Sequence, residues 1–238
     1  MTLKLIIGNK NYSSWSMRPW IAMKVAKIAF EETVISLNAP NFKDVLGPVS
    51  GTGKVPTLID GDVRVWESLA ILEYLAEKFP NARLWPVDSA ARALARAISN
   101  EMHAGFLPLR RHMPMNLWRP LIKRDLTPEA AANVKRVETM WSDCRTRYGQ
   151  KADGPFLFGA FGAADAMYAP VVARLHLTLL WQWRAGPLRR LFLFLLVLIC
   201  LPALNVNSTR KQAFSRSDHS TNLRRSSKRA ERSSMRLR

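Results

Sequence analysis

The sequence predicts an α/β domain followed by an all-α domain. Three observations carry that expectation. Within residues 1–80, short apolar runs of strand length alternate with amphipathic stretches of helical length, in the order β-α-β and then β-β-α. From Ser89 to about residue 175 the apolar spacing is helical and no strand pattern appears. Between the two, "PNARLWPVDS" (80–89) has the composition of a linker.

Taken in order, residues 3–7 ("LKLII") read as a buried strand by length and β-branching. Residues 16–28 place Trp20, Ile21, Met23, Lys24, Val25 and Ile28 at helical spacing. Pro19 falls in the first turn, where its missing N–H costs nothing. Residues 30–37 ("FEETVISL") alternate and read as a second strand. Residues 38–54 are loop-like, with one helical turn expected at 43–46. "VPTLIDGDVRVWES" is two short strands around Asp60-Gly61-Asp62, a hairpin. Residues 67–79 form an amphipathic helix stopped by Pro80. A parallel β-α-β unit followed by a hairpin and a closing helix is the thioredoxin-like arrangement. The following helices are expected at 89–105 (less regular to about 112), 127–148 and 162–175. Ser89 and Thr127 are the expected N-caps, and Pro128 suits a first helical position.

The chain has 238 residues and a formal net charge of +18, a value that suggests nucleic acid or a membrane surface as partner. The distribution argues otherwise. The stretch 184–238 holds 13 Lys/Arg against 2 Asp/Glu, so most of the imbalance sits in the last quarter and the main body is only mildly basic. Two cysteines in different contexts, Cys144 and Cys200, give neither a disulfide framework nor a CxxC pair. The start lacks the apolar run of a signal peptide, which makes a reducing, cytoplasmic setting the expectation. His103 and His112 have no partners at metal-ligand spacing, so no metal is expected.

Three short motifs carry chemistry. In "NYSSWS" a hydroxyl opens the first helix. It can cap that helix, or it can donate to a thiolate, which a helix N-terminus also favours. No cysteine is nearby, so such a sulfur would belong to a ligand. In "GKVPTL" Pro56 is either an ordinary strand-entry proline or a cis residue. The cis form would turn the Val55 N–H and C=O outward to pair with a bound peptide backbone. Gly53-Lys54 is no P-loop, because five residues separate Gly47 from Gly53 and Val55 replaces the required hydroxyl residue. In "VWESLAIL", Glu67-Ser68 opens a helix whose free N–H groups suit a carboxylate, with Glu67 placed for an ammonium. A capped helix start reads equally from the same residues.

These motifs, in this order on this frame, resemble the cytosolic glutathione S-transferases over residues 3–175. The Ser-Ser-X-Ser-X-Arg pattern is similar to the zeta class and related bacterial members, whose motif begins Ser-Ser-Cys. The resemblance implies the glutathione transferase architecture, with a glutathione-binding domain at 1–80, an incomplete helical domain at 89–175, and a homodimer. It implies glutathione as substrate, with Ser13 as thiolate donor and Ser14 as its fallback. Val55 and cis-Pro56 would hold the cysteinyl backbone, Glu67 and Ser68 the γ-glutamyl end, and Lys43 or Lys54 the glycine carboxylate. The implied activity is conjugation to a small electrophile, as in detoxification. Trp15 stands where the zeta class has cysteine, so that class's isomerase activity is not carried over, and a thiol reductase is disfavoured. "FLFGAFGAADAMYAPVVARL" is similar to the family's late buried helix, with Asp165 in place and Gly162 where a Ser/Thr cap is usual. Met102, Phe106, Met113 and Met115 either line an apolar electrophile pocket or pack a core. The alternative to an enzyme is a non-catalytic adaptor on the same fold, binding a protein partner.

The resemblance stops at about 175–176. Residues 176–238 are an apolar run and then a Ser/Arg-rich stretch too polar to fold, read as disordered. The fourteen apolar residues 191–204 fall short of the roughly 20 that span a membrane, so no anchor is expected. A basic tail would give only non-specific nucleic-acid binding. The reading adopted is an out-of-frame translation after about residue 175.

Overall fold

A computed structural model describes residues 2–152 and 154–178. The first part is a four-stranded sheet of β1 (Leu3–Ile7), β2 (Phe30–Val34), β3 (Thr57–Asp60) and β4 (Val63–Trp66), with α1 (Ser14–Val25), the short α2 (Phe42–Leu46) and α3 (Ser68–Lys78). The helices that follow are α4 (Ser89–Ala104), α5 (Leu107–His112), α6 (Pro128–Cys144) and α7 (Ala163–Leu177). This is the thioredoxin-like sheet with a helical region behind it that the sequence predicts.

The sheet order is β2-β1-β3-β4. β1 runs parallel to β2, with Leu3 opposite Phe30, and antiparallel to β3, with Leu5 opposite Leu58. β3 and β4 close the hairpin with Asp60 opposite Val63. β1 is central and nearly all buried, which is why it reads as a continuous apolar run rather than an alternating one. One face meets α1 and α3 through Leu5, Ile21, Ile71 and Leu72, and this core runs on without a break into Ile98, Trp141 and Met167 of the helical region. The other face holds a smaller cluster of Ile6, Ile35 and Leu46, covered by α2.

Helix α7 is buried on every side, consistent with its apolar sequence. It packs against α1 and α4. Its Tyr168 hydroxyl donates to the Ile98 carbonyl at 2.9 Å, and its ring meets Trp141 edge-on with centroids 5.5 Å apart. At its start, Asp165 accepts from two backbone N–H groups, Gly162 at 2.9 Å and Leu157 at 3.0 Å. Gly162 has no side chain to return the bond, so the capping box is one-sided. The reason for glycine is steric: a Cβ at 162 would meet the Leu84 carbonyl oxygen at 2.9 Å. That same oxygen accepts from the Ala163 N–H at 2.7 Å, which fastens the 80–89 segment to α7.

Several boundaries differ from the sequence reading. α1 begins at Ser14 rather than residue 16, with Ser13 at its N-cap. β2 stops at Val34, because the Leu37 N–H turns to the Asn9 side chain at 2.9 Å. The N-cap of α4 is Asp88, whose carboxylate accepts from the Ala91 N–H at 2.8 Å, so Ser89 becomes the first helical residue. Thr127 does cap α6, accepting from Ala130 at 3.3 Å. α6 ends at Cys144 and a wider π turn carries the chain to Gly149. Met102, Phe106, Met113 and Met115 are 1–7% exposed and belong to the core, not to an open pocket. α7 continues through Leu177, two residues past the expected end. The remaining expectations for the tail (the 191–204 run, the basic stretch and the altered frame) lie outside the described residues. Among the described residues no helix is long and apolar enough to cross a membrane.

Asp165→Asn keeps the shape at the start of α7 but leaves one buried N–H without an acceptor. The expected loss is about 1–3 kcal/mol, read as a lower midpoint in thermal unfolding followed by circular dichroism.

Candidate functional site

The loop from β1 to α1 is fixed by its own polar groups. The Asn9 carbonyl accepts from the Ser13 N–H at 2.8 Å, and the Asn11 carbonyl accepts from Leu117 N–H at 2.9 Å. Ser16 Oγ accepts from the Gly8 N–H at 3.0 Å and from the Ser13 hydroxyl at 2.8 Å. Ser13 therefore stands at the N-cap without a side-chain bond to a backbone N–H of the helix, and its proton is given to the Ser16 side chain. The first N–H groups of any helix have no intrahelical partner, and here the cap side chain does not supply one. The start of α1 thus keeps its capacity for an anion.

Ser14 is held differently. Its Oγ accepts from the Arg174 guanidinium at 3.3 Å, which leaves its own hydrogen to be donated. The other guanidinium nitrogen of Arg174 donates to the Arg110 carbonyl at 3.1 Å and to the Met113 carbonyl at 2.5 Å. α7 is thereby tied both to the end of α5 and to the start of α1.

Two cations approach the Trp15 ring. The Arg18 guanidinium is 4.3 Å from its ring centroid and that of Arg110 is 4.8 Å away, while His103 meets it edge-on at 5.1 Å. Arg18 is only 2% exposed and donates to Ser68 Oγ at 3.3 Å, linking the start of α1 to the start of α3. Beside Ser68, Glu67 occupies the left-handed region at φ 66°, and its carboxylate lies 3.5 Å from His103 Nε2. The Val55-Pro56 peptide is cis, and strand pairing begins only at Thr57. Behind it, Ser50 and Thr57 hydroxyls both donate to the Lys54 carbonyl, at 2.9 and 3.2 Å.

The electrostatics follow from crowding. Burial pushes the Arg18 guanidinium down to about 9, with Arg110 and then Arg174 acting in the same direction. Arg174 is pushed down to about 10 by burial and by Arg110, and Arg110 is lowered by burial. Each remains a cation at neutral pH. His103 is lowered chiefly by burial, against the pull of Glu67, with Arg18 and Arg110 adding to the fall. Burial thus works against the charged form of His103 in its contact with Glu67. Cys144 is buried in the core and pushed up to about 12, mainly by burial, which removes it as a nucleophile.

Of the residues expected from sequence, Ser13 bonds Ser16, Ser14 bonds Arg174 and Ser68 bonds Arg18, while Glu67 meets His103, which with Arg18 and Arg110 contacts the Trp15 ring. Lys43 and Lys54 are exposed and take no part in it. Arg18, His103, Arg110 and Arg174 were not singled out as site residues. Arg18 had a signal: it is a charge on a helix face otherwise buried, three residues from Trp15 and four from Ser14. Arg174 had one as well, as the sole cation within the apolar run "YAPVVARL".

A cis-proline before a sheet strand, two helix starts without a side-chain cap bond and a helical region behind them define a thioredoxin-like protein. The glutathione S-transferase N-terminal domain family matches residues 12–78. A probable maleylacetoacetate isomerase of Caenorhabditis elegans is 41% identical over 98 residues, 41% of this chain and 45% of that protein. Glutathione S-transferase T1 of Arabidopsis thaliana is 30% identical over 169 residues, 66% of each chain. Among solved structures, a glutathione transferase homolog from Burkholderia with bound glutathione superposes with a TM-score of 0.53 at 23% identity, covering 81% of this chain and 97% of that one. The chain belongs to the cytosolic glutathione transferase family. The matched stretches span between about half and two thirds of those two curated relatives.

Arg18→Lys cannot both stack on Trp15 and reach Ser68. It is expected to lower unfolding free energy by about 1–3 kcal/mol, whereas Arg111→Lys on the exposed side of α5 stays within about 0.5 kcal/mol. Parallel chemical denaturation of the two variants checks this.

Proposed function

We propose that the protein is a glutathione transferase, with residues 1–80 as glutathione-binding domain and 89–175 as helical domain. The observation that carries the reading is the convergence of Ser14, Ser68 and Glu67 at two adjoining helix starts, beside a cis-proline strand entry. The γ-glutamyl carboxylate goes to Ser68 and the start of α3, and its ammonium goes to Glu67. The Val55 backbone ahead of Pro56 pairs with the cysteinyl residue, and Lys43 or Lys54 meets the glycine carboxylate. These placements put the ligand's sulfur at the start of α1.

There the thiolate is stabilised by the helix N-terminus and a serine hydroxyl. Family resemblance points to Ser13, but in the structure the Ser13 proton is engaged by Ser16. Ser14 is the better placed donor, since a cation already bonds its oxygen and its own hydrogen is uncommitted by that contact. Ser13 contributes once its hydroxyl turns from Ser16. One donor together with the helix dipole lowers a thiol pKa by roughly one to two units. The thiolate then attacks an electrophilic carbon. A carbon–sulfur bond forms, and the electron pair of the broken bond leaves with the displaced group or is protonated on the neighbouring carbon. Family membership supports a homodimer and a cytoplasmic location.

Ser14→Ala is expected to lower kcat/KM for conjugation of 1-chloro-2,4-dinitrobenzene by roughly tenfold to a hundredfold. A lost donor raises the thiol pKa, so the rising limb of its pH–rate profile moves to higher pH. Ser13→Ala should show the smaller effect. Unchanged rates and profiles in both variants would refute the hydroxyl mechanism. Calorimetry with glutathione tests the reading as a whole: no binding by the full chain leaves the adaptor alternative in its place.

A further inference from the structure

We infer that Arg110 is an anion-binding residue of the second-substrate site, and that the electrophile this protein takes carries a carboxylate. The inference rests on the glutathione reading above and names its second substrate class.

Three guanidinium groups crowd the start of α1, and two of them are already bonded to protein groups. Arg174 bonds Ser14 and the carbonyls of Arg110 and Met113. Arg18 is buried against Trp15 and bonds Ser68. Arg110 differs: it is half-buried, and among the described residues its guanidinium has the Trp15 ring as its one recorded contact. The negative charge nearest this cluster is Glu67, which already faces His103 and is assigned to the glutathione ammonium. A second observation is independent of Arg110. The Nε of Arg18, in a side chain almost wholly withdrawn from solvent, has no hydrogen-bond partner among the described residues. Buried cations of this kind ordinarily meet an anion. Here repulsion from Arg110 and Arg174 on Arg18, and from Arg110 on Arg174, adds to burial in holding Arg18 and Arg174 below the usual guanidinium range.

A carboxylate suits the site in two ways. The planar fork of Arg110 matches it in two-point geometry, and the flanking Trp15 face keeps that fork pre-oriented. The anion is that of the electrophile rather than of glutathione. The peptide's two carboxylates are taken by the start of α3 and by the Lys43/Lys54 side, whereas Trp15 directly follows the serines assigned to sulfur. An electrophile with its reactive carbon at the thiolate and its carboxylate on Arg110 is thereby oriented as well as bound.

Two conjugate analogues of nearly equal shape give the test. S-(2-carboxyethyl)glutathione and S-propylglutathione are titrated by calorimetry into the full chain and into Arg110→Gln, with thermal unfolding confirming that the variant folds. The wild type is expected to favour the carboxyethyl conjugate by roughly tenfold or more. In Arg110→Gln that preference falls to near one, while affinity for the propyl conjugate is kept. Equal affinity of the wild type for both conjugates overturns the inference, as does a preference that survives in the variant. An equal loss for both conjugates in the folded variant also overturns it, since Arg110 would then serve glutathione or the scaffold. Binding of neither conjugate to the wild type overturns the glutathione reading, and this inference with it.

Discussion

The site depends on one buried side chain. Arg18 leaves α1 on a face that is otherwise buried, and among the described residues no carboxylate bonds it. It is held by the face of Trp15 and the hydroxyl of Ser68. The first contact fixes the guanidinium on its own helix, and the second ties α1 to the N-terminus of α3, a helix end of the kind that receives an anion. Moving either helix start would strand a buried cation without partners, at a cost far above that of an ordinary surface contact. The register of the two helices is therefore specified by a polar group rather than by packing alone.

The helical region completes the arrangement. Arg174 reaches from the last turn of the most buried helix to bond both Ser14 and the end of α5. α5 in turn carries Arg110 onto Trp15. The Trp15 indole is thus held by one guanidinium from its own helix and another from α5. This is a coherent answer to the hydroxyl-rich sequence at the strand-to-helix junction: Ser16 holds the loop, Ser14 is held by the helical region, and Ser13 sits between the two with its proton on Ser16.

Most of the fold was legible because it rests on local patterns. The unbroken apolar run of β1, the Asp60–Asp62 turn, the Thr127-Pro128 start and the stop at Pro80 each state their structure within a few residues. What was not legible is made by contacts far apart in the chain. The partner of the Ser14 side chain is Arg174, 160 positions away. The choice of Asp88 over Ser89 as cap turns on which of two good acceptors the linker presents. The methionines near residue 110 were ambiguous because an apolar residue looks the same in a core and in a pocket. Of the site, the serines and Glu67 could be read from motif and order, but the arginines could not, since nothing in sequence shows three separated cations converging. The Lys43 and Lys54 assignment remains unconnected to the network.

Gly162 has a consequence for how this sequence can change. The family's usual hydroxyl cap is absent there, and restoring it looks like an easy gain. The Leu84 carbonyl now occupies the space such a side chain would need, and it accepts the Ala163 N–H from that position. A serine at 162 would have to push the connecting segment off the helix before it could cap anything. The loss of the cap and the docking of the connector have become a single commitment, so neither can be reversed unless the other is reversed with it.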